Sequence, residues 1–90
     1  MFTVIYHHLV VSDDIPKLSN EWKERIRRAI ENKLMTYSDL YGKPLRRSLA
    51  GYRKLRVGDY RVIFKIEKNT VKVLVIQHRS VVYVEAEKWI

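Results

Sequence analysis

Ninety residues without a cysteine, 47% of them hydrophobic, suffice for one modest core and exclude both a disulfide framework and a thiolate metal site. Eighteen Lys and Arg against ten Asp and Glu give a net charge of +8, a balance that suits a polyanion: nucleic acid, acidic protein or anionic membrane. No stretch approaches the ~18 apolar residues of a membrane span and no basic n-region opens the chain, so one cytoplasmic domain over 1–90, without signal peptide or anchor, is expected.

The opening FTVIYH is rich in β-branched and aromatic residues and predicts a strand. Ser12, Asp13 and Asp14 then offer helix-capping oxygens. Ile15, Leu18, Trp22, Ile26, Ala29, Ile30 and Leu34 recur at spacings of three and four, with charges between them, which is an amphipathic helical pattern. Pro16 fits only a first turn, and Ser19 or Asn20 can cap a second start. The pattern predicts a short helix over 13–18, a bend, and a longer helix over 20–35, together a helical hairpin. MTYSDLYGKP reads as a loop. Strands are predicted over 52–57, 60–68 and 71–77, joined at Gly58-Asp59 and Asn69-Thr70 into an antiparallel meander, and the last eleven residues can close with a short helix.

Charge is concentrated in one place. Residues 43–65 hold eight cations (Lys43, Arg46, Arg47, Arg53, Lys54, Arg56, Arg61, Lys65) against Asp59, a local charge of +7. Alternation along the strands sends Leu55 and Val57 to one face with Tyr60, Val62, Phe64 and Ile66, and sends Lys54 and Arg56 to the other with Arg61, Ile63 and Lys65. Charged residues on an open sheet face are ordinarily just solvated. Three adjacent cations without a local carboxylate nevertheless repel by about 1 kcal/mol per near pair, and an anion would offset that. Tyr52, Tyr60 and Tyr83 can pack, or can stack on bases.

The second cluster is QHRSVVY, 77–83. A turn after His78 can bring Tyr83 back towards the strand end, so that an imidazole, the Arg79 guanidinium and a phenol sit together as proton-transfer and phosphate-binding groups. His7 and His8 point to opposite faces of a strand with no carboxylate at ligand spacing, and no metal site is expected there.

The helical hairpin, the run GKPLRRSLAGYRKLRVGDYRVIF over 42–64 and the closing HRSVVY over 78–83 resemble the RelE/ParE superfamily of toxins from type II toxin–antitoxin systems. The resemblance covers nearly the whole chain. It implies an α+β fold of order βααβββ, with the N-terminal helical hairpin packed on one face of an antiparallel-rich sheet and a short C-terminal helix.

For the RelE-like branch the resemblance implies a cofactor-free, metal-independent endoribonuclease that cuts mRNA, commonly on the ribosome, by attack of the 2'-hydroxyl on the adjacent phosphate. Arg61 would then stabilise the scissile phosphate, Arg56 and Lys54 would grip phosphate, Arg79 would be a phosphate ligand, and Tyr83 a proton donor or base stacker. His78 would be an acid or base, with Lys43, Arg46, Arg47, Arg53 and Lys65 holding RNA. Some members carry a second lysine two positions before the one matched by Lys54, and Tyr52 stands there instead. The ParE-like branch shares the scaffold and poisons DNA gyrase without cutting RNA, and that alternative stays open. Either branch implies a cognate acidic antitoxin and a toxin–antitoxin hetero-oligomer, with no membrane partner.

Overall fold

The computed structural model describes residues 2–35 and 42–89, so Met1, residues 36–41 of the loop expected over 35–44, and Ile90 lie outside the described residues. Strand β1 (Thr3–Tyr6) opens the chain. A wide π-type turn (Val10–Asp14) runs into a tight 3-10 turn (Ile15–Lys17) that contains Pro16. Helical structure thus begins ahead of the expected residue 13. Val10 is fully buried, and burying it against the sheet draws the turn forward.

Asp14 does not act as the expected cap. Its carboxylate reaches the last strand, accepting from Ile76 N–H at 2.9 Å and from Gln77 Nε2 at 3.0 Å. Ser19 does cap: its Oγ accepts from Trp22 N–H at 3.3 Å and starts helix α1 (Asn20–Ala29), which a second π-type turn (Ile30–Leu34) prolongs. Ile26, Ile30 and Leu34, each at most 3% exposed, form its inward stripe.

The sheet adds β2 (Lys43–Pro44), β3 (Arg53–Val57), β4 (Tyr60–Glu67) and β5 (Thr70–His78), in the spatial order β1-β5-β4-β3-β2. Among the described residues only the β1–β5 pair is parallel. The meander is as expected, whereas β2 is a short edge strand on Lys43 and Pro44 that the sequence pattern did not mark. Gly58 turns the first hairpin at φ 58. The second hairpin turns at Lys68-Asn69, one residue before the expected site, with Lys68 at φ 55 and Glu67 paired to Thr70.

One face of the sheet packs the helical hairpin over Val10, Ile26, Leu34, Leu55, Val62, Phe64, Val73 and Ile76. The other face is not open along its length. Ile63, expected to point outward, is fully buried with Val75 and Leu74 beneath Leu49 and helix α2 (Val82–Glu87). Burying a side chain of that size contributes ~1.5–3 kcal/mol, so α2 is held by its own small core. A bulge makes this second core possible: Ile63 pairs with Val75 and Phe64 with Val73, which leaves Leu74 unpaired. Among the described residues no helix is long and apolar enough to cross a membrane.

Candidate functional site

The β3–β4 register sets the site. Arg56 lies opposite Arg61 and Lys54 opposite Ile63, so the three cations share the face away from the helical hairpin. β2 then brings Lys43 opposite Lys54. Lys43, Lys54, Arg56 and Arg61 line an open cleft of about 320 Å³, joined by Lys33 from the turn that prolongs α1. Lys33 escaped the sequence reading because a lysine on an amphipathic helix looks like a solvated residue. Among the described residues no carboxylate lies within salt-bridge distance of Lys54, Arg56 or Arg61.

Arg61 is anchored by backbone. Its Nη1 donates to the carbonyls of Gly58 at 2.8 Å and Tyr60 at 2.9 Å, which folds the side chain over the β3–β4 turn. Arg79 meets the same turn: its N–H donates to Asp59 O at 2.8 Å, and its Nε lies 4.0 Å from Asp59 Oδ1. The turn therefore holds both arginines at one end of the sheet. Tyr83, from the first turn of α2, packs half-buried on the second core, and Lys54 Nζ sits 5.7 Å from its ring centroid.

His78 stands elsewhere. Arg61 pairs with Gln77 and Tyr60 with His78, so the imidazole lies on the helical side of the sheet, opposite the cations. Its Nδ1 accepts from Ser80 N–H at 3.1 Å and lies 2.9 Å from Ser80 Oγ, which leaves the ring proton on Nε2. Its ring meets Tyr60 edge-on at 5.7 Å. The expected trio of His78, Arg79 and Tyr83 is therefore not assembled.

Among the other cations, Arg53 pairs with Phe64 and turns towards the helical side, donating through Nη1 to Gly42 O at 3.0 Å. Lys65 sits at the far end of β4, opposite Lys72, and both bridge to Glu67 at 3.2 and 3.1 Å. Those two ammonium groups, Lys72 first, hold the Glu67 carboxyl below its usual range. Arg46 and Arg47 are exposed at the turn Arg47–Leu49, which Ser48 ties to α2 through a 2.9 Å bond from its Oγ to Glu87. Among the described residues no group of three or more His, Asp or Glu could hold a metal ion.

A helical hairpin on an antiparallel-rich sheet, with its cations on one strand pair and a short helix closing the opposite face, is the frame of a small basic toxin. The chain belongs to the RelE/ParE superfamily: the family model for the ParE toxin of the type II toxin–antitoxin system, parDE, matches residues 2–83. Toxin RelG of Mycobacterium tuberculosis is 48% identical over 44 residues, 47% of this chain and 51% of that protein, so the match spans about half of that relative. The structure of the RelBE2 toxin–antitoxin complex of the same organism superposes with a TM-score of 0.80 at 31% identity, covering 88% of this chain and 92% of that one. The RelB–RelE antitoxin–toxin complex of Methanococcus jannaschii shares the fold, with a TM-score of 0.68 at 22% identity over 88% of this chain and 94% of that one.

Proposed function

We propose that this toxin is an endoribonuclease that cleaves mRNA, in association with the ribosome, as a single domain over 1–90 acting in the cytoplasm. The convergence of Lys54, Arg56 and Arg61 in one cleft, with Tyr83 beside Lys54 and no carboxylate within salt-bridge distance of the three cations among the described residues, carries the reading. The 2'-hydroxyl gives its proton to solvent water as its oxygen attacks the adjacent phosphorus, the bond to the 5'-oxygen breaks, and the products are a 2',3'-cyclic phosphate and a 5'-hydroxyl. The phosphorane gathers negative charge on its equatorial oxygens, and preorganised guanidinium groups stabilise that charge more than they stabilise the ground state. Arg61 and Arg56 take this role, with Arg79 on the neighbouring phosphate. Tyr83, whose ring centroid lies 5.7 Å from Lys54 Nζ, donates its hydroxyl proton to the departing 5'-oxygen and takes one back from solvent. Lys33, Lys43, Arg46 and Arg47 hold the flanking RNA backbone. The sheet register puts His78 on the face away from the cations, which supports a reading in which it takes no part in the chemistry.

The cognate antitoxin is acidic and covers the same cations, forming a hetero-oligomer; RelBE2 and RelB–RelE, both structurally similar to this chain, are toxin–antitoxin complexes. A second reading, inhibition of DNA gyrase, is favoured by one observation: the family model that matches is the ParE one. Primer extension on cellular messages after induction separates them. New codon-periodic 5' ends support the ribonuclease, whereas DNA breaks with intact messages support the gyrase inhibitor.

A further inference from the structure

Behind the two turn-anchored arginines, on the helical side of the sheet, lies a recess of about 200 Å³ lined by Lys17, Leu18, Tyr60, Gln77, His78 and Val81, with Asp14 and Ile76 at its base. Tyr60 and His78 are its aromatic lining, with Trp22 packed against Tyr60 and Arg25 in turn against Trp22. The Arg25 guanidinium lies 4.3 Å from the Trp22 ring centroid, Trp22 lies 4.6 Å from Tyr60, and Tyr60 meets His78 at 5.7 Å. The polar groups are mostly donors. His78 presents Nε2–H because Nδ1 is occupied by Ser80, and Lys17 adds an ammonium. The Asp14 carboxylate accepts one bond on each oxygen, from Ile76 N–H and Gln77 Nε2, and Gln77 Oε1 adds a further acceptor.

The recess and the phosphate cleft are neighbours along the chain although they occupy opposite faces. Tyr60 adjoins Arg61 on β4, and His78 lies between Gln77 and Arg79, so consecutive residues ~3.3 Å apart serve the two sides of one sheet end. A nucleotide whose phosphate rests on Arg61 and Arg79 can pass around that rim and place its base against Tyr60 and His78.

We propose that this recess is a base-recognition subsite for the RNA, taking one nucleobase against the Tyr60 ring and preferring guanine. Lys17 and His78 Nε2–H complement the adjacent O6 and N7 acceptors of that base, while stacking on Tyr60 supplies sequence-tolerant affinity. The assignment rests on the ribonuclease reading for the source of the base. It also gives His78 a function on the face where the sheet register leaves it.

Trp22 reports on the recess, because its ring packs tilted against that of Tyr60 at 4.6 Å, and Trp89→Phe makes it the sole tryptophan. Titration of that protein with GMP, CMP and ribose 5-phosphate should give saturable quenching by GMP in the millimolar range, weaker quenching by CMP and none by the sugar phosphate. Lys17→Ala and His78→Ala, both at exposed positions, should each weaken GMP binding about tenfold. Absence of saturation, equal quenching by ribose 5-phosphate, or unchanged binding in both variants would overturn the subsite. The readout is binding, so the two readings fail separately. RNA left intact by a protein that still binds GMP sinks the ribonuclease alone; RNA cut by a protein that binds no nucleotide sinks the recess alone.

Discussion

Arg56 and Arg61 lie directly opposite one another across the β3–β4 pair, two cations facing each other on a sheet that offers them no carboxylate among the described residues. Like charges in this arrangement are destabilising, by ~0.2–1 kcal/mol. Arg56→Glu should therefore stabilise the fold, raising Tm by a few degrees, while abolishing RNA cleavage. Thermal unfolding and a cleavage assay on the same preparation check both halves. A variant that is no more stable, or that remains active, would contradict a site kept at the expense of stability.

Asp14 does structural work outside the cleft. β1 ends at Tyr6, and further along β5 the Ile76 N–H finds its acceptor in Asp14. Asp14→Ala strands a buried donor and should cost about 1–3 kcal/mol in chemical denaturation. A loss under ~0.5 kcal/mol would show that solvent replaces the carboxylate easily.

Much of this was legible in the sequence, and the failure at His78 has a definite cause. The spacing of four between Ile26, Ile30 and Leu34 marked the inner stripe of α1, and simple alternation placed Lys54, Arg56 and Arg61 on one face. Continued without interruption from a turn at Asn69-Thr70, the same alternation pairs Arg61 with His78. The turn falls one residue earlier and Leu74 bulges, so Arg61 meets Gln77 and His78 crosses to the other face. VKVLVIQ hides that bulge, because an apolar residue is welcome on either side of a sheet buried on both. Asp14 was missed for a different reason: a carboxylate near a helix start reads as a cap, and only the tertiary structure shows it serving a strand.

Tyr83 separates proton donation from stacking. Tyr83→Phe keeps the ring against Lys54 and removes the hydroxyl, and should lower the cleavage rate by ~10²-fold or more with RNA affinity nearly unchanged. Full activity in Tyr83→Phe together with loss in Tyr83→Ala would make the ring a stacking surface and leave the leaving-group proton to another donor.

Glu67 predicts a small pH dependence at the far end of the sheet. Its carboxyl is held low by Lys72 and Lys65, so folding is favoured by the pair above the unfolded value near 4.5 and loses that contribution as pH falls through the folded value. Comparing Glu67→Gln with the parent should show the parent more stable at neutral pH, with the difference disappearing in acid and shrinking in high salt. A gap that persists unchanged in acid would assign the effect to packing.

The central claim is that Arg61 stabilises a scissile phosphate. Purified wild-type and Arg61→Ala toxins should be compared for single-turnover cleavage of an mRNA programmed on ribosomes, with unfolding followed in parallel. Loss of the guanidinium should lower the rate by ~10²–10³-fold, while loss of its two bonds to the turn carbonyls costs no more than ~1–3 kcal/mol of stability. A folded Arg61→Ala protein that cuts at the wild-type rate, or a wild-type protein that leaves the message intact, would contradict the account.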